Sequence, residues 1–379
     1  PVGARVPAEG DEAGLAGVLH HRQELRGPGG GGVLTDTFGR AATNLRMSVT
    51  QRCNLNCIYC HAEGECSPES ELPLADIREI LRVAAKLGMR SVKFTGGEPL
   101  IRDDILDIVR AVPEGMESSM TTNGILLARY ARDLKDAGLS RINVSLDSLD
   151  PECYRDITGH DRLADVLAGI EAALEARLTP IKLNMVVLKG INDEEVEEFL
   201  GHGRGNRDLI LQLIELMDVG SCTSHAEINR LEQDLESRSK IILTRRMHHR
   251  KKYCVDGAEV EVVRPRHNTE FCAFCNRLRV TSDGKLKPCL LRSDNLIDIR
   301  GKRGRELERL FHEAVRMVQE IAGGLIDTVP SVSDCENPEL RFFIEKYLKG
   351  KADVPTDYRL RLFRLLQDMT TYGTACYWL

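Results

Sequence analysis

An α/β fold is what the sequence predicts: an incomplete (β/α)6 barrel of the TIM type, followed by a smaller C-terminal α+β domain. Three observations lead there. From Leu45 to about Met217, short apolar runs alternate with amphipathic stretches of helical period. Successive strands joined by such helices pair in parallel, because the crossovers are long and right-handed. Polar residues recur near one end of successive strands, the end at which β/α barrels carry their chemistry. A flat doubly wound sheet fits the same spacing and remains the alternative.

The elements follow in order. Residues 1–33 are rich in Gly, Glu, Arg and Ala, with Pro28 before Gly29 to Gly32, and read as a disordered leader. Order is expected from Leu34-Thr35-Asp36. Strands are expected at 45–50, 91–95, 117–121, 141–146, 181–187 and 209–216. Helices fall between them near 74–87, 103–111, 127–137, 163–176 and 193–201. Asp103 and Asp193 stand where helix N-caps belong, and Gly88 and Gly138 where helices stop. The barrel is expected over 34–220 and the second domain over 221–324. Residues 325–379 form an extension with amphipathic helices near 336–349 and 356–370.

Composition narrows the class. The net charge is −6, so bulk attraction to nucleic acid or to membranes is not indicated. No apolar run reaches membrane-spanning length. Twelve Cys in 379 residues, with no secretory signal ahead of them, point to a reducing cytoplasm rather than a disulfide framework. The first residue is Pro, which suggests a trimmed or partial start. The basic run of Arg245, Arg246, His248, His249, Arg250, Lys251 and Lys252 reads as a solvated hairpin in preference to a nucleic-acid contact, since only Tyr253 accompanies it.

The chemistry concentrates in cysteine. Cys53-x3-Cys57-x2-Cys60 packs three thiols into a short loop just past the first strand. Three ligands leave one iron of a four-iron cube open to a small molecule. A zinc ion completed by His61 is the alternative. A second trio, Cys272-x2-Cys275-x13-Cys289, brackets Asn276-Arg277-Leu278-Arg279 and a hairpin turn at Ser282-Asp283-Gly284-Lys285. A zinc ribbon with Cys254 or His267 is its alternative, but two trios in one chain favour a second cluster that also keeps an iron free. Cys66, Cys153, Cys222, Cys335 and Cys376 read as ordinary thiols.

The strands add polar groups. The second ends in Thr95-Gly96-Gly97-Glu98-Pro99, where two Gly let backbone approach a ligand closely. The third ends in Thr121-Thr122-Asn123-Gly124, and the fourth carries Asn143, Ser145 and Asp147. The fifth carries Lys182 and Asn184 in an apolar run, and the sixth Glu215 before Met217. Met217 reads equally as plain core.

The first trio, with Tyr59 before its last Cys, resembles the radical S-adenosylmethionine (SAM) superfamily. The details narrow the resemblance to the GTP 3′,8-cyclase family of molybdenum cofactor biosynthesis. They are Phe38-Gly39-Arg40, Asn143-Val144-Ser145-Leu146-Asp147, Lys189-Gly190-Ile191-Asn192-Asp193, Met217-Asp218-Val219-Gly220 and Phe271-Cys272-x2-Cys275-Asn276-Arg277-Leu278-Arg279. The match runs from about Leu34 to about Gly301.

That resemblance implies two [4Fe-4S] clusters, one on Cys53, Cys57 and Cys60 and one on Cys272, Cys275 and Cys289. It implies SAM contacts at Tyr59, Gly97, Ser145 and Met217. It implies GTP contacts at Arg46, Lys93, Thr121, Lys182, Arg277 and Arg279, the last two also with a catalytic role. The implied reaction, of the lyase class, starts when an adenosyl radical takes hydrogen from ribose C3′ of GTP. The C3′ radical then attacks C8, and one electron and one proton quench the resulting aminyl radical, giving (8S)-3′,8-cyclo-7,8-dihydroguanosine 5′-triphosphate. The implied partners are a downstream cyclic pyranopterin monophosphate synthase and a reducing protein such as flavodoxin or ferredoxin; the resemblance also allows a homodimer. Two departures stand out. Gln212 lies on strand six where bacterial relatives carry an Arg. The flexible Gly-Gly end of many relatives has only an internal counterpart, Gly323-Gly324, expected to follow a helix. The extension faintly resembles a helical segment of the 4-hydroxybutyryl-CoA dehydratase family. Two other functions fit parts of the pattern: a radical SAM enzyme that modifies a peptide, and a metal-stabilised RNA-binding protein.

Overall fold

The computed structural model describes residues 34–35, 40–62, 65, 71–217, 222–245, 250–265, 275–290 and 293–327, with side chains to 317. The leader at 1–33, Cys66, Cys272, His267 and the extension beyond 327 lie outside these residues.

The chain alternates as expected through its first half. The order is β1 (Asn44–Ser48), α1 (Leu74–Lys86), β2 (Ser91–Thr95), α2 (Ile105–Arg110), β3 (Glu117–Thr122), α3 (Leu127–Asp136) and β4 (Arg141–Ser145). Then come α4 (Pro151–Thr158), α5 (Leu163–Glu175), β5 (Ile181–Val187), α6 (Val196–Gly203) and β6 (Leu209–Glu215). The remainder is α7 (Ile228–Arg238), β7 (Ile241–Thr244), β8 (Lys251–Val255), β9 (Ala258–Val263), β10 (Arg277–Val280), β11 (Lys285–Lys287), β12 (Ile297–Asp298) and α8 (Gly304–Asp327).

Among the described residues these strands form one sheet, ordered β12-β11-β10-β1-β2-β3-β4-β5-β6-β9-β8-β7. From β1 to β6 the order is sequential, and every neighbouring pair is parallel. A doubly wound sheet reverses its order at a switch point; this one winds in a single direction, as a barrel does. The strands β9 and β10 add in parallel at its two ends, each followed outward by antiparallel partners. The sheet also curls. Laid flat, β10 and β8 would stand roughly 38 Å apart at the usual strand spacing. Yet the Arg250 charge, just before β8, acts on Arg277 of β10.

Each strand has two unlike faces. In β1, Leu45 and Met47 are fully buried against the helices, with Ile77, Ile80 and Leu81 of α1 in the same cluster. Asn44, Arg46 and Ser48 face the other way. Most TIM barrels fill their interior with branched apolar side chains. Here the interior faces of β1, β2, β3, β4, β5 and β10 carry Arg46, Lys93, Ser119, Asn143, Lys182 and Arg279, so the inside is a polar chamber.

Three details differ from expectation. The helix after residue 102 starts with Asp104, not Asp103, at its N-cap position, and neither caps by side chain. Asp193 opens a 3-10 turn instead of capping a helix; its Oδ1 accepts from the Gly190 N–H at 2.7 Å. Gly323-Gly324 lies inside α8, whose backbone continues to Asp327. The stops at Gly88 and Gly138 hold, with φ of 85° and 98° one residue past each C-cap. The hairpin turn between β10 and β11 also forms, with Gly284 at φ 88°. No described helix is long and apolar enough to cross a membrane.

Candidate active site

The first cysteine loop grows from the end of β1 and is fixed from three sides. On one side lies the Gly-Gly segment after β2. The Gly97 N–H bonds the Thr50 carbonyl and the Glu98 N–H the Arg52 carbonyl, both at 2.8 Å. A Cβ on Gly96 would stand 2.2 Å from the Thr50 carbonyl oxygen, and one on Gly97 2.3 Å from that of Arg52. The close approach that the glycines allow is therefore to the cysteine loop itself. On the second side the Asn56 and Ile58 N–H groups bond Thr158 and Ile157 carbonyls at the end of α4, each at 3.0 Å. On the third, the Tyr59 hydroxyl donates to Asp147 Oδ2 at 2.5 Å, and Asp147 Oδ1 accepts from the Val186 N–H at 2.9 Å.

Glu98 organises the next layer. Its fully buried carboxylate accepts from Leu100 N–H (3.0 Å), Thr122 Oγ1 (2.7 Å) and Asn123 N–H (2.6 Å). Asn123 Nδ2 then donates to Asn54 Oδ1 at 2.7 Å and lies 4.0 Å from Cys53 Sγ. Burial pushes the Glu98 carboxyl up to about 7, against the pull of these hydrogen bonds.

The three thiols suit an iron–sulfur group. Cys53 and Cys60 are exposed and Cys57 half-buried, so the trio opens outward. Burial raises the Cys53 and Cys57 thiols, and the neighbouring Cys60 raises both further. None of the groups acting on these two thiols is cationic, so a cationic metal group would supply what ionises them. Among the described residues no three His, Cys, Asp or Glu groups stand in position to hold a metal ion, His61 included. A cube spreads its ligands wider than a single ion, because each thiolate takes its own iron.

Below the loop lies the chamber. Arg279, Arg46, Lys93, Ser119 and Arg141 occupy one register row across β10, β1, β2, β3 and β4. Thr121, Asn143 and Lys182 are in register on β3, β4 and β5. Burial pushes the Lys93 ammonium well down, and the charges of Arg46, Arg277, Lys182 and Arg141 add to that. Arg46, Arg279 and the fully buried Lys287 line a small pocket with Ser48, Glu65, Thr95, Val280 and Thr281. Ser145 ends β4, Gly97 follows β2 and Met217 follows β6, all at the strand ends that face the cysteine loop.

Of the second trio, Cys275 is placed by its neighbour Asn276. Thr43 and Asn44 N–H groups bond its carbonyl at 3.1 and 3.2 Å, and its Nδ2 donates to Thr43 Oγ1 at 2.8 Å. Cys275 thus sits beside the start of β1, and Cys53 lies beyond its end. Cys289 follows β11, which runs antiparallel to β10 with Arg279 opposite Lys287, so it returns toward Cys275. Cys275 acts electrostatically on Arg277. Cys254 belongs to β8, beside β7 and β9, and takes no part in this hairpin.

Sequence reasoning missed Glu261, Arg245 and Arg250. Glu261 is fully buried on β9 and accepts from Lys182 Nζ (2.6 Å), Gln212 Nε2 (3.0 Å) and Arg245 Nη1 (2.5 Å). Burial pushes its carboxyl up, but Lys182, Arg245 and Arg250 outweigh that and hold it down at about 2. The hairpin formed by β7 and β8 is present as expected, but Arg250 is largely buried, and it and the exposed Arg245 both pair with a buried carboxylate. The available signal was Glu261 at a buried position of the run Ala258–Val263.

Comparison with known proteins joins these parts. The radical SAM superfamily model matches residues 47–202, and the Molybdenum Cofactor Synthesis C model residues 209–320. The model of the 4-hydroxyphenylacetate 3-hydroxylase C terminus matches 307–377, mostly outside the described residues. A probable GTP 3′,8-cyclase of Methanosarcina mazei is 54% identical over 75% of this chain and 88% of its own length. One of Archaeoglobus fulgidus is 50% identical over 75% of this chain and 97% of its own. The crystal structure of Streptococcus suis SuiB bound to precursor peptide SuiA matches with a TM-score of 0.58 at 18% identity, covering 73% of this chain and 66% of that one, which shows a shared fold. With half or more of the aligned residues identical across nearly the full length of such relatives, and a cysteine loop and chamber laid out on that fold, the chain belongs to the GTP 3′,8-cyclase family of radical SAM proteins.

Proposed function

We propose that this chain converts GTP to (8S)-3′,8-cyclo-7,8-dihydroguanosine 5′-triphosphate, a lyase reaction of molybdopterin biosynthesis, using SAM and two [4Fe-4S] clusters. One observation carries the reading. Lys93 is a desolvated cation surrounded by Arg46, Arg277, Lys182 and Arg141, and among the described residues no carboxylate or other acceptor pairs with it. A buried cation in such company calls for a polyanion. A nucleoside triphosphate meets that demand, and the chamber lies between the Cys53–Cys60 loop and Cys275.

In this reading Cys53, Cys57 and Cys60 hold the first cluster, and Cys272, Cys275 and Cys289 the second. Bound there, the first cluster and SAM supply one-electron cleavage and removal of hydrogen from ribose C3′. Tyr59, Gly97, Ser145 and Met217 hold SAM at the strand ends. Arg46, Lys93, Thr121 and Lys182 hold the triphosphate and ribose, and Arg277 and Arg279 lie beside the guanine end, near Cys275. Glu98 and Asn123 keep Cys53 in place, and Asp147 does the same for Tyr59. The product passes to a cyclic pyranopterin monophosphate synthase, electrons arrive from a flavodoxin or ferredoxin, and the setting is the cytoplasm.

The test is anaerobic incubation of the reconstituted chain with SAM, reductant and GTP deuterated at C3′. Deuterium is expected in 5′-deoxyadenosine. SAM cleavage with no transfer from GTP, or from any other nucleotide, would refute the cyclase reading.

A further inference from the structure

Among the described residues, Arg250 is a guanidinium that the hydrogen bonds of the chamber leave unused. Both Glu261 oxygens are already served: Oε1 by Arg245 at 2.5 Å, and Oε2 by Lys182 at 2.6 Å and Gln212 at 3.0 Å. Arg250 stands behind them at 3.7 Å from Oε2, within ion-pair range but outside hydrogen-bond range. Its side chain is 13% exposed. Its Nε is buried without a partner, and its guanidinium donates no hydrogen bond among the described residues. A guanidinium has five N–H donors in a rigid fork, and burying them unused is costly.

The surrounding charge points the same way. Three cations, Lys182, Arg245 and Arg250, face the single Glu261 carboxylate. Arg250 also lies within electrostatic reach of Lys182 on β5 and of Arg277 on β10. Excess positive charge, water-poor surroundings and unspent planar donors together describe a site awaiting a phosphate.

We propose that Arg250 is a phosphate-reading residue of the chamber, with Lys182 beside it and Glu261 as the positioning residue that holds both in place. The ligand class is a polyphosphate anion; that it is the triphosphate of GTP rests on the function proposed above. Arg245 neutralises Glu261 from the hairpin and leaves Arg250 free to turn its fork to the ligand. Gln212 faces the same carboxylate oxygen as Arg250. An arginine at position 212 would therefore deliver its fork to the same place.

The experiment is titration calorimetry on the anaerobically reconstituted full chain with three probes: GTP, guanosine and inorganic tripolyphosphate. Arg250→Met keeps the apolar stem and removes the fork, with Arg250→Lys as the conservative partner. Loss of a charge-assisted hydrogen-bonded pair should weaken GTP and tripolyphosphate about 10- to 100-fold and leave guanosine unchanged. Arg250→Lys should fall between, and Gln212→Arg added to Arg250→Met should regain most of the loss. Unchanged tripolyphosphate binding in Arg250→Met overturns the proposal. So does a parallel fall in guanosine binding, which would mark a merely structural role; thermal melting of each variant reports the fold. If the wild-type chain binds tripolyphosphate but not GTP, the cyclase reading fails and the anion site stands. If Arg250→Met binds and turns over GTP as the wild type does, the anion site fails and the cyclase reading stands.

Discussion

Glu98 is the residue on which the cysteine loop leans, and its titration is open to measurement. Burial raises its folded pKa from 4.5 to about 7. The folded chain therefore holds a proton that the unfolded chain releases. Stability from this group is full below about 4.5 and is lost as pH rises through about 7. The span corresponds to about 3 kcal/mol, an upper figure for a fully buried group. Urea unfolding between pH 5 and 8 should show stability falling with pH, and Glu98→Gln should flatten that slope. An unaltered slope in the variant would place the titration elsewhere. At this scale the sequence supplied the Gly-Gly-Glu-Pro run but not its use. The two glycines pack on Thr50 and Arg52, and Glu98 bonds Thr122 and Asn123 on the neighbouring strand. Glu261 hides for the same reason: nothing local to Ala258–Val263 shows that Lys182, 79 positions earlier, ends 2.6 Å away.

Among the elements, α4 shows a boundary that the sequence spelled out and that pattern reading passed over. Asp150 accepts from the Cys153 N–H at 2.8 Å, Pro151 opens the helix, and Gly159 closes it in the left-handed conformation at φ 79°. A helix of 8 residues is too short for periodicity to reveal, but the caps are local chemistry. The helix matters because its end carries the carbonyls that hold Asn56 and Ile58 of the cysteine loop. Asp150→Ala should cost about 1 kcal/mol in chemical denaturation. It should also lower the iron retained by the first site during slow dilution, measured as iron per chain. Full retention would mean that α4 does not support the loop. Beyond the two expected hairpins, the strands β9 and β12 were missed for a different reason. They are short, and each is stabilised by partners on a sheet that the first half of the chain builds.

Across the whole molecule, the Cys53–Cys60 loop and Cys275 stand at opposite ends of β1 with the charged chamber between them. This layout separates their roles. Cys53→Ala should abolish SAM cleavage, while Cys289→Ala should leave cleavage with dithionite measurable and remove most GTP turnover. Equal loss in both would argue for one shared function. The sheet curls because each strand twists and each crossover turns the same way, so the polar faces converge. Charges on β1, β2, β5 and β10, and that of Arg250 just before β8, then meet in one space.

Alternation of apolar runs and helical stretches fixed the parallel architecture, because those periods follow from backbone geometry alone. Cysteine spacing likewise made the first cysteine loop legible, because its three thiols lie within eight residues, Cys53 to Cys60. The direction of winding, the polarity of the interior and the company kept by Glu261 were decided by the tertiary structure. Each depends on which distant strands become neighbours, and that is set by the burial of the opposite faces against the helices.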